Sequence, residues 1–271
     1  MVSLHDKKDP VVSLEDLCVR HVCKNLNSLT FFDGSKQRWC FPYPEFYISV
    51  RPAQKILIQL CKRNALDDDR MCLFSPEFLN LTSPIIKEVS VSSSALRVLK
   101  EFRLSGLSAV NLPNVNLNSL LGCLGEWTVK NLISLNVTGT SILSGSSLPI
   151  LAALGRFKSL EIVADDLPNL RFLNISRTRV NDIRPLLSIR DRLTGLVMHR
   201  LELEKREEVE TLLHTIVQMH KLQFLDASDR HGPVNLRFDA VETLCSGAAL
   251  PELTHIDLSG NQFGLRFEDA R

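Results

Sequence analysis

The sequence predicts an α/β solenoid of leucine-rich units, with a concave parallel sheet and convex helices, preceded by a small helical module. Three observations carry that prediction. A short leucine frame recurs from residue 99 onward, the segments between its copies have helical apolar faces, and residues 13–82 lack the frame. Recurrence of one frame marks stacked repeats, in which each unit buries against its neighbours a face it could not bury alone.

Taken in chain order, the first element is a helix over about residues 13–29. Leu14, Cys18 and Val22 stand at i, i+4 and i+8 on one stripe, which Leu17 joins. Ser13 suits the N-cap, and Asp16 lies at the capping-box spacing after it. A bend is expected at FFDG, residues 31–34, followed by FPYP at 41–44. A second helix is expected over about 52–64, with Pro52 in its first turn and an apolar face of Ile56, Leu57, Leu60 and Cys61. A short helix is expected from FSPEFLNL at 74–81, with Pro76 near its start. The module should end between 80 and 98, dividing the chain into 1–90 and 91–271, and it can serve as the cap that a first repeat needs.

The frame L-x-x-L-x-L is clearest at Leu170, Leu173 and Ile175, followed by Thr178, Val180 and Ile183. It fits Leu132, Leu135, Val137 and Thr140, and Leu253, Ile256, Leu258 and Asn261. Weaker copies begin at Leu99, Leu193 and Leu222, so copies start at 99, 132, 170, 193, 222 and 253. Their separations match or exceed the usual leucine-rich length of about 20 to 29 residues. The excess is helical: Val209, Leu212, Leu213, Ile216 and Val217 share one face, as do Phe238, Val241, Leu244 and Cys245. Each unit is therefore expected to be a strand followed by a helix. Frame residues point inward, and the residues alternating with them face the concave surface. That surface is expected to carry Asn136, Thr138, Phe172, Asn174, Ser176, His199, Phe224, Asp226, Ser228, His255, Asp257 and Ser259. Phe172, Asn174, His199, Phe224, Asp226 and His255 are its candidate substrate contacts, and a solvated face without a ligand is the plainer reading.

Composition bounds the function. Thirty-two Lys and Arg against thirty-one Asp and Glu leave a formal net charge of +1, so no long-range field gathers nucleic acid or an anionic membrane. No signal-peptide pattern and no run of apolar residues long enough to span a bilayer is present, which predicts a cytoplasmic or nuclear protein. Seven cysteines form no tight framework and are expected to be reduced thiols, with no metal site. Phosphate-binding glycine loops, H-E-x-x-H and G-x-S-x-G are absent, so neither catalysis nor a cofactor is expected.

The stretch LPNLRFLNISRTRVNDIRPLLSIRDRLTGLVMHRLE at 167–202, with LQFLDASD at 222–229, resembles the leucine-rich repeats of the Zyg-eleven and Zer family of substrate receptors for cullin-RING ubiquitin ligases. SLEDLCVRHVCKNL at 13–26 resembles that family's N-terminal box for elongin C, a VHL-box-like module, through Leu14, Cys18 and Val22. The resemblance implies a non-enzymatic substrate-recognition subunit. It would dock to elongin C, in complex with elongin B, through Leu14, Leu17, Cys18 and Val22. It would also meet a cullin-2 type scaffold with its RING subunit, and a protein substrate. A leucine fills an apolar pocket, and a close helix crossing has room for a thiol but not for a larger side chain. The other reading of the stripe is a helix packed on its own domain with Cys18 buried. The family's cullin element, an apolar residue and proline before a helix, is matched loosely by Phe41-Pro42 and by Pro52 with Ile56; Pro44 follows the first at once and Arg51 precedes the second. The resemblance also implies an armadillo-like domain after the repeats, which the residues up to Arg271 do not supply, so no degron-pocket residue is carried over. The alternative function is a leucine-rich scaffold that binds a partner through its concave face, unrelated to ubiquitination.

Overall fold

The computed structural model describes residues 12–42, 47–140, 163, 166–178, 180, 182–201, 203, 205–229, 236, 238–245 and 248–261. Its centre is a seven-stranded parallel sheet whose strands neighbour one another in chain order. These are β3 (Ile85–Lys87), β4 (Gly106–Val110), β5 (Ser134–Asn136), β6 (Phe172–Asn174), β7 (Gly195–Val197), β8 (Phe224–Asp226) and β9 (His255–Asp257). The register places Leu107, Leu135, Leu173, Leu196, Leu225 and Ile256 side by side across six strands. All but the last are buried; Ile256 is 37% exposed, on the final strand described. An α/β solenoid thus follows from the frame, whose leucines are worth most where neighbours cover both flanks.

Two units differ from expectation. The copy placed at Leu99 is out of register, because Leu99 lies in a 3-10 helix, Arg97–Glu101, and the strand follows Leu104. The unit's frame is Leu104, Leu107 and Ala109, all buried. A further unit lies at Leu81, Pro84 and Ile86, inside the segment expected to link the two parts. A proline at the frame's centre hides it; the edge of a sheet tolerates a residue without an N–H.

Backbone geometry confirms both frames. Seven residues after the first frame position, Glu88, Asn111, Gly139, Arg177, Arg200 and Gly260 all have left-handed φ, between 51° and 79°. The first five of these turns are tied to the next unit by that residue's N–H: Glu88 donates to Val110 O at 2.9 Å, Asn111 to Thr138 O at 2.8 Å, Gly139 to Ser176 O at 2.9 Å, Arg177 to His199 O at 2.8 Å and Arg200 to Ser228 O at 3.0 Å. A left-handed residue other than glycine costs about 1 to 2 kcal/mol, which the satisfied N–H helps to offset. One residue later, the Thr140 hydroxyl donates to Ala109 O and the Asn261 amide to Ala227 O.

Helices back the sheet at α5 (Ser93–Leu96), α6 (Leu117–Leu121) and α7 (Glu126–Asn131), and further on at Arg206–Ile216 and Phe238–Cys245. The first of these last two buries Val209, Leu212 and Ile216 of its expected face, with Leu213 and Val217 packed against the core; the second turns Ala240 and Leu244 inward and leaves Cys245, expected on its apolar face, exposed. Between β6 and β7 the connection is a 3-10 helix, Arg184–Ile189, rather than the α-helix expected of every unit. Pro185 near its start and the short span between these strands favour the tighter coil.

The front module holds α1 (Leu14–Lys24), α2 (Leu26–Leu29), a hairpin of β1 (Phe31–Asp33) and β2 (Arg38–Cys40), α3 (Val50–Lys62) and α4 (Asp68–Met71). The helix expected over 13–29 is divided at Asn25, whose amide donates to His21 O. FFDG is more than a bend: it opens a hairpin whose turn is held by Asp33 Oδ1, which accepts the Ser35 N–H at 2.9 Å. Residues 74–81 form turns and a bridge from Leu79 to Ile48 instead of the expected helix. Here the hydrogen bonds of extended chain replace those of a helix. Opposite, α3 packs Ala53, Ile56, Leu57, Leu60 and Cys61 inward. Its Gln54 amide donates to Ser83 O and the Cys61 thiol faces Ile85 O at 4.0 Å, so α3 covers the β3 edge of the sheet. Module and solenoid share one continuous core, and the capped edge offers no open template for further pairing.

Candidate functional site

Two faces carry side chains that the fold itself does not use. The first is the outer face of α1. Ser13 caps this helix, its hydroxyl oxygen accepting the Asp16 N–H at 3.1 Å. Val19 and Cys23 turn inward, and the Cys23 thiol lies 3.8 Å from Ile56 O on α3. Burial pushes that thiol up to about 11. Ion pairs fix the helix from the flank: Lys55 Nζ lies 2.6 Å from Asp16 Oδ1 and 3.4 Å from Glu15 Oε1, and Arg51 Nε lies 3.5 Å from Glu15 Oε2. The hydrogen bonds from Lys55 and Ser13 hold the Asp16 carboxyl below its usual range.

With the inner face so occupied, 3.6 residues per turn leave Leu14, Leu17, Cys18 and His21 pointing outward. Leu14 is 77% exposed and Leu17 50%, and Cys18 is exposed. Val22 sits at the margin, half-buried against the core. The stripe read as Leu14, Cys18 and Val22 is therefore rotated toward Leu17 and His21. His21 was missed, although its spacing from Leu17 and Cys18 marks it. Two exposed leucines on one turn of a short helix are an apolar patch that water alone does not explain.

The four residues expected to meet a cullin do not form one face. Phe41 is buried edge-to-face on Phe78, ring centroids 5.6 Å apart, and Ile56 is buried beneath α1. Only Pro42 and Pro52 keep exposed surface. Both apolar residues close the module's own core, which is the correction to that expectation.

The second face is the concave sheet. Phe172, Gly195, Phe224 and His255 occupy equivalent, register-paired positions on β6 to β9. The ring of Phe172 lies over Gly195, where a Cβ would meet Phe172 Cδ2 at 2.4 Å. The missing side chain lets Phe172 reach Phe224 at 6.3 Å between centroids, and Phe224 stacks on His255 at 6.2 Å. The next row holds Asn174, Val197, Asp226 and Asp257.

Asn136, Asn174, Asp226 and Asp257 each cap the turn after their own strand. Their Oδ1 atoms accept from the N–H of Thr138 at 3.0 Å, Ser176 at 2.9 Å, Ser228 at 3.0 Å and Ser259 at 2.8 Å. The pattern Asn/Asp-x-Ser/Thr at the end of each frame was the sequence signal for these turns. They draw Ser176 and Ser228 into burial, so these two expected concave residues are part of the fold rather than of its exposed surface.

Asp226, Ser228 and His199 form a chain with the residue types of a hydrolase triad. Their connectivity is different: the Ser228 hydroxyl donates to Asp226 Oδ1 at 2.6 Å, and His199 Nδ1 lies 2.8 Å from the same Ser228 Oγ. In a hydrolase triad the histidine lies between the serine and the carboxylate, whereas here the serine lies between the other two. Among the described residues no group of three His, Cys, Asp or Glu could hold a metal ion, and no helix is long and apolar enough to cross a membrane.

Residues 161–266 match the family model described as Zer-1-like, leucine-rich repeats. The matched stretch contains β6 to β9 and the aromatic row upon them.

Proposed function

We propose that this chain, whose residues 161–266 match the Zer-1-like leucine-rich repeats, is a member of that family and the substrate-recognition subunit of an elongin B–C, cullin-RING ubiquitin ligase, docking onto elongin C through the outer face of α1. The observation that carries this reading is the exposure of Leu14, Leu17 and Cys18 on a helix whose opposite face is locked to α3. A docking helix has to be held rigidly by its own domain while offering an apolar stripe, and α1 meets both needs. Leu14 is the anchor, because burying a leucine in a partner's pocket contributes about 1.5 to 3 kcal/mol. Cys18, one turn further on, leaves room for a helix to cross closely. A cullin-2 type scaffold and its RING subunit complete the assembly, and the solenoid presents its concave face to a protein substrate. The assembly works in the cytoplasm or nucleus, in keeping with seven cysteines that are all free thiols.

A second reading, a scaffold that binds a partner through the concave face without any ligase, draws on the row from Phe172 to His255. Co-expression with elongin B and C separates the two. The ligase reading expects one peak containing all three chains in gel filtration. A chain that elutes alone at micromolar concentration, properly folded, would leave the scaffold as the better account.

A further inference from the structure

The left-handed turns that follow the strands do not all use the residue their backbone favours. Glycine at 139 and 260 and asparagine at 111 suit that conformation, whereas the turns after β6 and β7 hold Arg177 and Arg200, each at φ 54°. Glu88, in the first such turn, is engaged within the chain, by Lys87 Nζ at 3.4 Å and the Asn111 amide at 3.4 Å. The two arginines have no such use, and observed strain of this kind is a reason to look for a function.

Their placement adds an electrostatic cost. The Arg177 N–H donates to His199 O at 2.8 Å, one residue before Arg200, so the two turns lie side by side at the spacing of paired strands, about 4.8 Å. Like charges held opposite each other are destabilising. Both side chains are exposed, and among the described residues no carboxylate, Asp229 of the next turn included, ion-pairs with either guanidinium. Arg184 and Arg206 of the same units are by contrast held, by Asp182 at 2.5 Å and Glu210 at 3.0 Å. His199 adjoins the pair; its Nδ1 lies 2.8 Å from Ser228 Oγ, and Nε2 has no partner among the described residues. An anion brought from outside would offset the charge.

We propose that the rim formed by Arg177 and Arg200 binds a phosphorylated serine or threonine of an extended protein segment, with the phosphate between the two guanidinium groups. A phosphate carries a charge of about −1.5 to −2 and three acceptor oxygens, which matches two cations that each offer a planar fork. A carboxylate of an unmodified segment would balance only one of them. Nucleic acid also carries phosphates, but a chain with a net charge of +1 has no extended basic track for its backbone. Phe172 stands five residues before Arg177, about 16 Å away along an extended chain, so a segment anchored at the rim can rest an apolar residue on the aromatic row. The site names a substrate class for the proposed receptor and rests on that reading only for the fate of what is bound; the contact needs no elongin.

The test probes the full chain with an array of degenerate peptides whose central residue is phosphoserine, phosphothreonine, serine or aspartate, followed by calorimetry with the best binder. The expected outcome is binding in the phosphorylated arms, about tenfold or more weaker when the centre becomes serine or aspartate. The double variant Arg177→Asn with Arg200→Asn should weaken binding by about tenfold or more. It should also melt no earlier than the unmodified chain, because asparagine already makes this turn at 111 and tolerates the left-handed conformation. Equal affinity for the serine or aspartate peptide, no binding above background by a folded chain, or full affinity in the asparagine variant would each overturn the proposal. So would an asparagine variant that melts early, which would give the arginines to the fold, or a single-stranded oligonucleotide or inorganic phosphate bound more tightly than the best phosphopeptide. Because elongin is absent from these measurements, none of the results bears on whether α1 docks.

Discussion

Leu173 on β6 is fully buried, whereas Leu14 on α1 is 77% exposed, although both belong to regular elements with apolar neighbours at the right period. The difference lies in what covers each. Leu173 has register partners Leu135 and Leu196 on both sides. Leu14 is on a helix whose inner face is already filled by Val19 and Cys23 against α3. The leucines of the solenoid are thus satisfied within the chain, and those of α1 are left over. Periodicity identifies an apolar face, but only the packing of the other face decides whether that face is core or contact.

The sharpest way to break this comparison is to truncate a solenoid leucine. Leu173→Ala should cost about 2 to 5 kcal/mol of folding stability, through lost burial and an unfilled cavity between three strands. Urea denaturation checks this, and a change below about 1 kcal/mol would mean the sheet is not packed as described. On the contact side, Cys18→Phe should weaken elongin B–C binding by about 2 kcal/mol or more while leaving the melting temperature near wild type. Cys18→Ala, which keeps the small volume, should bind almost normally. An intermediate case tests the rule that neighbours on both flanks make a leucine-frame residue costly to lose. Ile256→Ala, on the last strand described and 37% exposed, should cost only about 1 kcal/mol in the same denaturation experiment.

The smallest expected effect is electrostatic. Asp16 is held below its usual range by hydrogen bonds from Lys55 and Ser13, so its folded-state value is lower than its unfolded one. Its contribution to anchoring α1 is therefore full above the unfolded value and is lost only as pH falls through the depressed one. An NMR titration of the Asp16 carboxyl should show ionisation retained into acid, and Lys55→Met should return the midpoint toward the ordinary carboxylate range.

Much of this was legible in the sequence, for reasons that differ by element. The frames at Leu132, Leu170, Leu193, Leu222 and Leu253 were readable because every inward position is leucine or a close substitute. The unit at Leu81 was not, since Pro84 stands where a leucine signals a strand. The unit misplaced at Leu99 shows the opposite failure: Leu99 and Phe102 mimic the frame but fall in and just after a 3-10 helix. The hairpin after α2 escaped notice because its strands are three residues long, too short for alternation to register. On the functional side, the apolar stripe of α1 was readable from its spacing, but which residues face outward depended on the ion pairs and packing made with α3. The burial of Phe41 was not legible because a phenylalanine followed by proline looks the same in sequence whether it faces solvent or stacks inside the module.

The central claim, that α1 holds its leucines for a partner while the solenoid holds them for itself, is tested most directly by Leu14→Ala measured two ways on one sample. Calorimetric titration with purified elongin B and C should show affinity reduced by about 2 kcal/mol or more relative to the unmodified chain. Thermal unfolding of the same sample should be unchanged. A Leu14→Ala chain that binds elongin with full affinity, or one that melts as early as Leu173→Ala, would contradict the claim.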